Sequence, residues 1–154
     1  MRILATLSAT AGCLLFLATP FKASAADPKA CDALPPQTAA ALAGGPVGSA
    51  MDVGAMCAYV LKSGGSVGLV FQPIQPGDEA KSVQVQQSAV GPGVTTETVS
   101  GLAGPAVLIM RPGNMNVLAA GYHAKVVLLS VPGKMTPALK SAMIQAMKQA
   151  LAKL

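Results

Sequence analysis

Cys31 and Cys57 are the residues whose type and spacing bear most directly on chemistry, with a third thiol, Cys13, inside an N-terminal apolar run. Thiols serve as metal ligands, as redox couples or as structural bridges. A catalytic redox pair is normally C-x-x-C at a helix start, and a c-type haem needs C-x-x-C-H. Neither spacing occurs here. In an exported chain an even pair is most simply a disulfide, because the compartments outside the cytoplasm are oxidising. A Cys31–Cys57 bridge would close a loop whose chain entropy contributes roughly 3.5 kcal/mol.

His123 is the chain's one histidine, in "GYHAKVV". The usual zinc sites take three or four His, Cys or carboxylate ligands, which one histidine cannot supply once both cysteines are bridged. A general base is the remaining functional role for His123, with Tyr122 beside it and Met115 or Glu97 as conceivable partners. No G-x-S-x-G elbow marks a serine for it to activate. The plain reading is a turn or strand-start histidine.

Met51, Met56, Met110, Met115, Met135, Met143 and Met147 offer soft thioethers of the kind that hold Cu(I). They form no tight M-x-M or M-x-x-M cluster, and Met143 and Met147 share the apolar stripe of a helix, where methionine fills core gaps. Asp78-Glu79 falls in a Pro/Gly-bounded connection, and Asp27, Asp32, Asp52 and Glu97 show no acid–base spacing. The glycines of "GPGVTTETVSGLAGP" lack the G-K-[ST] of a phosphate loop. No cofactor pattern is present, so the sequence points to a chain that does not do catalysis.

The elements that must position these residues start after an export signal. Arg2 supplies a positive n-region, Ile3 to Ala18 is apolar or small, and Pro20 ends the run. Ala23-Ser24-Ala25 fits signal peptidase, so residues 1–25 read as a cleaved signal and 26–154 as the mature chain. The apolar core is shorter than the roughly 20 residues of a membrane span. Gly12-Cys13 resembles a lipid-attachment site, but "LLFLA" still follows Cys13 and Thr10 stands where leucine is usual. Asp27-Pro28-Lys29-Ala30 before Cys31 suits lipidation still less. The expected location is the periplasm or the exterior, with no transmembrane segment in the mature chain.

Residues 26–154 are enough for one domain with a modest core. The chain has no tryptophan and three phenylalanines, so that core is built from Leu, Val, Ile, Met and Ala. The formal net charge is +5, part of which, Arg2 and Lys22, leaves with the signal. Every acid lies at or before Glu97, while Arg111, Lys125, Lys134, Lys140, Lys148 and Lys153 follow it. These charges are scattered singly without interleaved aromatics, which reads as a solvated basic face and excludes nucleic acid as the expected partner.

Leu34-Pro35-Pro36 opens a short helix through "QTAAALA", ended by Gly44-Gly45-Pro46 and docked through Leu34 and Leu42. Cys57, Tyr59 and Leu61 alternate, as do Val67, Leu69 and Phe71, around a turn at Ser63-Gly64-Gly65-Ser66. Residues 78–89 fit a short helix or an edge strand, the helix being preferred because a crossover is needed. Thr95–Val99 makes a β-branched strand start that Gly101-Leu102-Ala103-Gly104-Pro105 interrupts, and Ala106–Met110, Asn116–Ala120 and Ala124–Val131 continue it as a meander, with Arg111-Pro112-Gly113-Asn114 as a turn. "KVVLLSV" is nearly all apolar, which predicts a central strand covered on both sides. Thr136 and Pro137 then cap an amphipathic helix to Leu154, with Leu139, Met143, Met147 and Leu151 on its stripe. The order predicts an α+β fold: an antiparallel sheet of about five strands with the short N-terminal helix and the longer C-terminal helix on one face.

"CDALPPQTAAALAGGPV", "CAYVL", "ETVSGLAGPAV" and the terminal "ALAKL" together resemble a broad group of small exported bacterial proteins of unknown function, familiar chiefly as actinobacterial lipoproteins. In that group a cysteine precedes a short helix ending in glycines, a second cysteine before an aromatic sits on a strand, and a C-terminal helix closes the chain. The resemblance spans about Cys31 to Leu154 and implies the Cys31–Cys57 bridge and the helix-flanked sheet, with no activity attached. "GLAG" departs from the usual glycine spacing, and the signal reads as cleaved rather than lipidated. The function expected is an exported, non-enzymatic module binding an envelope component, a protein or a small apolar ligand. The rival is a periplasmic hydrolase or metal-handling protein using His123 and the methionines.

Overall fold

The computed structural model describes residues 28–154 apart from 114. The segment 1–25 read as a signal, with Cys13 and the cleavage position at Ala25, lies outside the described residues, as does Asn114.

Among the described residues four helices and one sheet follow in the order α1 (Ala30–Ala33), α2 (Pro36–Ala43), β1 (Val47–Asp52), β2 (Met56–Leu61), β3 (Ser66–Pro73), α3 (Glu79–Ser88), β4 (Thr95–Thr98), β5 (Ala106–Arg111), β6 (Met115–Tyr122), β7 (Lys125–Pro132) and α4 (Pro137–Leu151). Among the described residues the sheet has seven strands in the order β1-β2-β3-β7-β6-β5-β4, every neighbour antiparallel. β1 to β3 form one meander, α3 crosses to the far edge, and β4 to β7 return to pair with β3. The fold is α+β as expected, but the strand count of about five is corrected to seven. β1, "VGSAMD", is an exposed edge strand that shows no apolar alternation to read. β4, "TTET", is polar, and the loop after it folds it back on β5 as a separate strand.

α2 begins with Pro36 in its first turn and stops at Gly44, whose φ of 67° is left-handed and costs glycine little. Leu34 and Leu42 are both buried. Thr136 caps α4 by accepting the Leu139 N–H at 3.1 Å, again with proline at the start. α1, α2 and α4 share one face of the sheet, where Leu34, Leu42, Met143 and Met147 join Tyr59, Leu69, Leu118 and Leu129. The segment left between helix and strand is a helix, α3, and it lies on the other face. It buries Val83 against Val107, Ile109, Ala119 and Val126. β7 is the middle strand: Val127, Leu129 and Val131 serve the first core, and Val126 the second. That two-sided burial is why its sequence is apolar almost throughout.

Candidate functional site

Cys31 and Cys57 form a disulfide, with Cα atoms 4.9 Å apart, between α1 and β2. Cys57 is fully buried. Beside it the Tyr59 phenol donates to the Leu34 carbonyl at 2.9 Å. Burial, and then the Asp52 carboxylate, hold that phenol above its usual 10.0. The bridge and the Tyr59 bond together fasten the N-terminal helical turn onto β2, so these thiols are structural.

Tyr122 and His123 end β6 and begin its turn into β7. His123 (φ 46°) and Ala124 (φ 56°) are both left-handed, the backbone of a two-residue hairpin turn that favours Asn and Gly. Neither residue is glycine, and each costs about 1 kcal/mol in that region. Three contacts hold the turn. Glu79 Oε1 accepts the Ala124 N–H at 2.9 Å, the Ile74 N–H donates to the Ala124 carbonyl at 2.9 Å, and the exposed His123 ring stacks on Tyr122 with centroids 3.8 Å apart. The Ala124 bond holds the Glu79 carboxyl below its ordinary 4.5, helped by its own N–H and that of Gly77 and, more weakly, by His123, against a partial desolvation that raises it. The Glu79 carboxylate is therefore committed to a backbone N–H, and the imidazole rests on a phenol ring.

The turn is wedged as well as bonded. A Cβ on Gly121 would lie 2.8 Å from Glu79 Cβ, and one on Gly104 would lie 2.0 Å from the Gly121 carbonyl oxygen. α3, β6 and the 101–105 loop thus touch at a point only glycines allow. Sequence reasoning singled out Tyr122 and His123 but missed Glu79, since no spacing links residues 79 and 124.

The methionines divide between regions of the fold: Met143 and Met147 are buried in the main core, Met110 and Met135 are half-buried against that core, and Met115 is half-buried on β6 opposite Arg111 and Pro132. Among the described residues no three His, Cys, Asp or Glu side chains gather at metal distance. Glu97 pairs with Lys140 of α4 across the β4 edge, away from His123.

The two remaining methionines, Met51 and Met56, mark a different feature. α3 covers only the β5-β6-β7 half of its face, and nothing among the described residues covers the β1-β2-β3 half. Cross-strand partners share a face of the sheet. Met51 lies opposite Ala58, Ala58 opposite Gly68, Met56 opposite Val70 and Val60 opposite Ser66, while the Val53 N–H bonds the Met56 carbonyl. Met51, Val53, Met56 and Val60 are 54%, 62%, 36% and 56% exposed, so four apolar side chains stand together in solvent. Between them Ala58, Gly68 and Ser130 make a low floor across three strands. The apolar layer runs on under α3 through the half-buried Leu128 and Val117. "MCAYVL" carried the signal: Met56 and Val60 are apolar on the face opposite Cys57 and Tyr59. Only the pairing shows which neighbours leave that face open.

Two shallow hollows adjoin on the other face, of about 330 and 430 Å³, sharing Ala41, Leu42 and Ala142 between α2 and α4. A further hollow of about 230 Å³ is lined by Pro28, Ala55, Phe71, Pro73 and Lys125. Family models, curated proteins and solved structures gave no match to this chain. Among the described residues no helix is long and apolar enough to cross a membrane.

Proposed function

We propose that this protein is an exported, non-enzymatic binding module that holds a protein partner of the cell envelope on its uncovered β1-β2-β3 face. One observation carries the reading: Met51, Val53, Met56 and Val60 are gathered on one side of one half-sheet. Isolated exposed apolar residues are ordinary, but a contiguous set marks an interaction surface. Methionine suits such a surface because its flexible, polarizable chain adapts to what it meets. The disulfide behind β2 supports the reading by making the platform rigid, and the signal-like segment 1–25 together with the paired cysteines supports export.

The chemistry-bearing side chains favour binding over catalysis because they are engaged elsewhere: Glu79 on the turn, His123 on Tyr122, Glu97 on Lys140 and the thiols in a bridge. The test is retention. Mature protein and its Met56→Glu/Val60→Glu variant are immobilised, washed with solubilised envelope from the host, and analysed by native mass spectrometry. A stoichiometric partner held by the wild type and lost by the folded variant is the expected result. Identical retention by both would overturn the proposal.

A further inference from the structure

Two of the four apolar side chains that stand in solvent on the β1-β2-β3 face carry sulfur, and exposed thioethers are oxidisable. We propose that Met51 and Met56 form a paired oxidation site, taken to sulfoxides by a hydroperoxide with the fold intact, and that this turns the face polar and releases the partner. The site stands on placement and chemistry, and the release rests on the binding reading above.

Placement sorts the methionines. Met51 is 54% exposed and Met56 36%, and neither packs into either apolar core. Met143 and Met147 are fully buried, and Met110 and Met135 lean on the main core. Met51 lies opposite Ala58, so Met56, two residues earlier on β2, is its diagonal neighbour at roughly 7–8 Å. Ala58 and the Gly68 opposite it are low and leave the inner side of Met51 open, while β1 itself ends the sheet on the outer side. Both thioethers thus face solvent from a strand pair that the disulfide fastens from the other face.

The chemistry follows from what else the chain holds. Cys31 and Cys57 are bridged, so among the described residues the thioethers are the sulfurs left to react. A sulfur lone pair attacks the terminal oxygen of the hydroperoxide, and the O–O bond breaks. The transferred oxygen stays on sulfur as the sulfoxide, and the departing oxygen takes the proton as water or an alcohol. Sulfur loses two electrons and the peroxide gains them. Methionine sulfoxide is polar, and sulfoxide reductases restore the thioether. On Met143 or Met147 the new oxygen would be a buried acceptor, costly unless a donor reached it, whereas on Met51 and Met56 it meets water. Oxidation therefore changes the face and spares the cores.

The probe is hydrogen peroxide, applied to the mature protein with its bridge intact and followed by peptide mass mapping. Met51 should gain oxygen first and Met56 next, several-fold faster than Met110, Met115 and Met135. Met143 and Met147 should react only in denaturant, where the differences vanish. Protein oxidised at Met51 and Met56 should keep the denaturant midpoint of untreated protein and elute earlier from a butyl column. A sulfoxide reductase should restore the original elution. Met51→Leu/Met56→Leu keeps the face apolar without sulfur, so peroxide should leave its elution unchanged. Reaction at Met51 and Met56 no faster than at Met110 and Met135 overturns the site. So does a lowered midpoint, or an elution shift that the leucine variant shares. Retention of solubilised envelope then separates the two readings. A partner held equally before and after oxidation overturns the release and leaves the binding module. No partner held even before oxidation removes the module and the release together, while the peptide map alone decides the oxidation site.

Discussion

The Glu79 carboxylate accepts the Ala124 N–H at 2.9 Å across 45 residues of sequence. This bond joins the first turn of α3 to the β6–β7 turn, and with it the α3 layer is tied to the centre of the sheet. The same contact holds the Glu79 carboxyl below its ordinary range.

Acid should therefore loosen this corner. A carboxyl with a lowered folded-state pKa stabilises the fold fully above its unfolded value, here 4.5, and loses that contribution as pH falls through the folded value. Denaturant midpoints measured from neutral pH downward should fall less steeply in Glu79→Gln than in wild type, with the two curves differing most at neutral pH. Parallel curves would mean that the Ala124 bond is not formed in solution.

The turn should be improvable. Ala124 has φ 56°, which costs about 1 kcal/mol for a residue with a Cβ and little for glycine. Ala124→Gly keeps the N–H that Glu79 binds and should stabilise the protein by about 0.5–1 kcal/mol in chemical denaturation. Gly121→Ala should do the opposite, costing more than about 2 kcal/mol, because its Cβ meets Glu79 Cβ at 2.8 Å and the Glu79 carbonyl oxygen at 2.9 Å.

The bridge should be legible by mass and by stability. The oxidised mature chain should be lighter than its reduced form by two hydrogens and should show no free thiol to alkylation. Replacing Cys31 and Cys57 together by serine should cost about 3–4 kcal/mol, and reduction of the wild type should match that loss. A fold indifferent to reduction would leave the N-terminal turn held by Tyr59 and apolar packing alone.

Asn116 offers a check on the approach to α4. It is 2% exposed, and its Nδ2 donates to the Gly133 carbonyl at 2.7 Å and the Val131 carbonyl at 3.3 Å. Asn116→Ala leaves both acceptors without that donor and should cost about 1–3 kcal/mol by thermal or denaturant melting. Exchange of the amides in the first turn of α4 should quicken in the same variant.

Much of the fold was local and therefore readable. Pro36 and Gly44 bound α2, Thr136 and Pro137 start α4, and Gly64 and Gly65 turn β2 into β3, each by conformational preferences that act within a few residues. The apolar run of β7 announced a central strand because burial on both sides leaves no polar face. α3 stayed ambiguous for the same reason in reverse: only Val83 is buried, so its residues carry almost no periodicity. β1 escaped because an edge strand is held by main-chain pairing, which side chains do not record, whereas the β-branched Thr95–Val99 did announce β4.

By itself the sequence determined the fold class, the limits of α2, the start of α4, the central strand and the pairing of two cysteines, since capping, turn chemistry and burial patterns are written in neighbouring residues. Tertiary structure alone decided that Glu79 reaches Ala124, that His123 stacks on Tyr122 in a left-handed turn, and that Met51, Val53, Met56 and Val60 share an uncovered face. Those relations depend on strand order, on register and on which half of the sheet α3 covers. Such distances between remote segments are set by the packing of the whole chain and leave no trace in any one stretch of it.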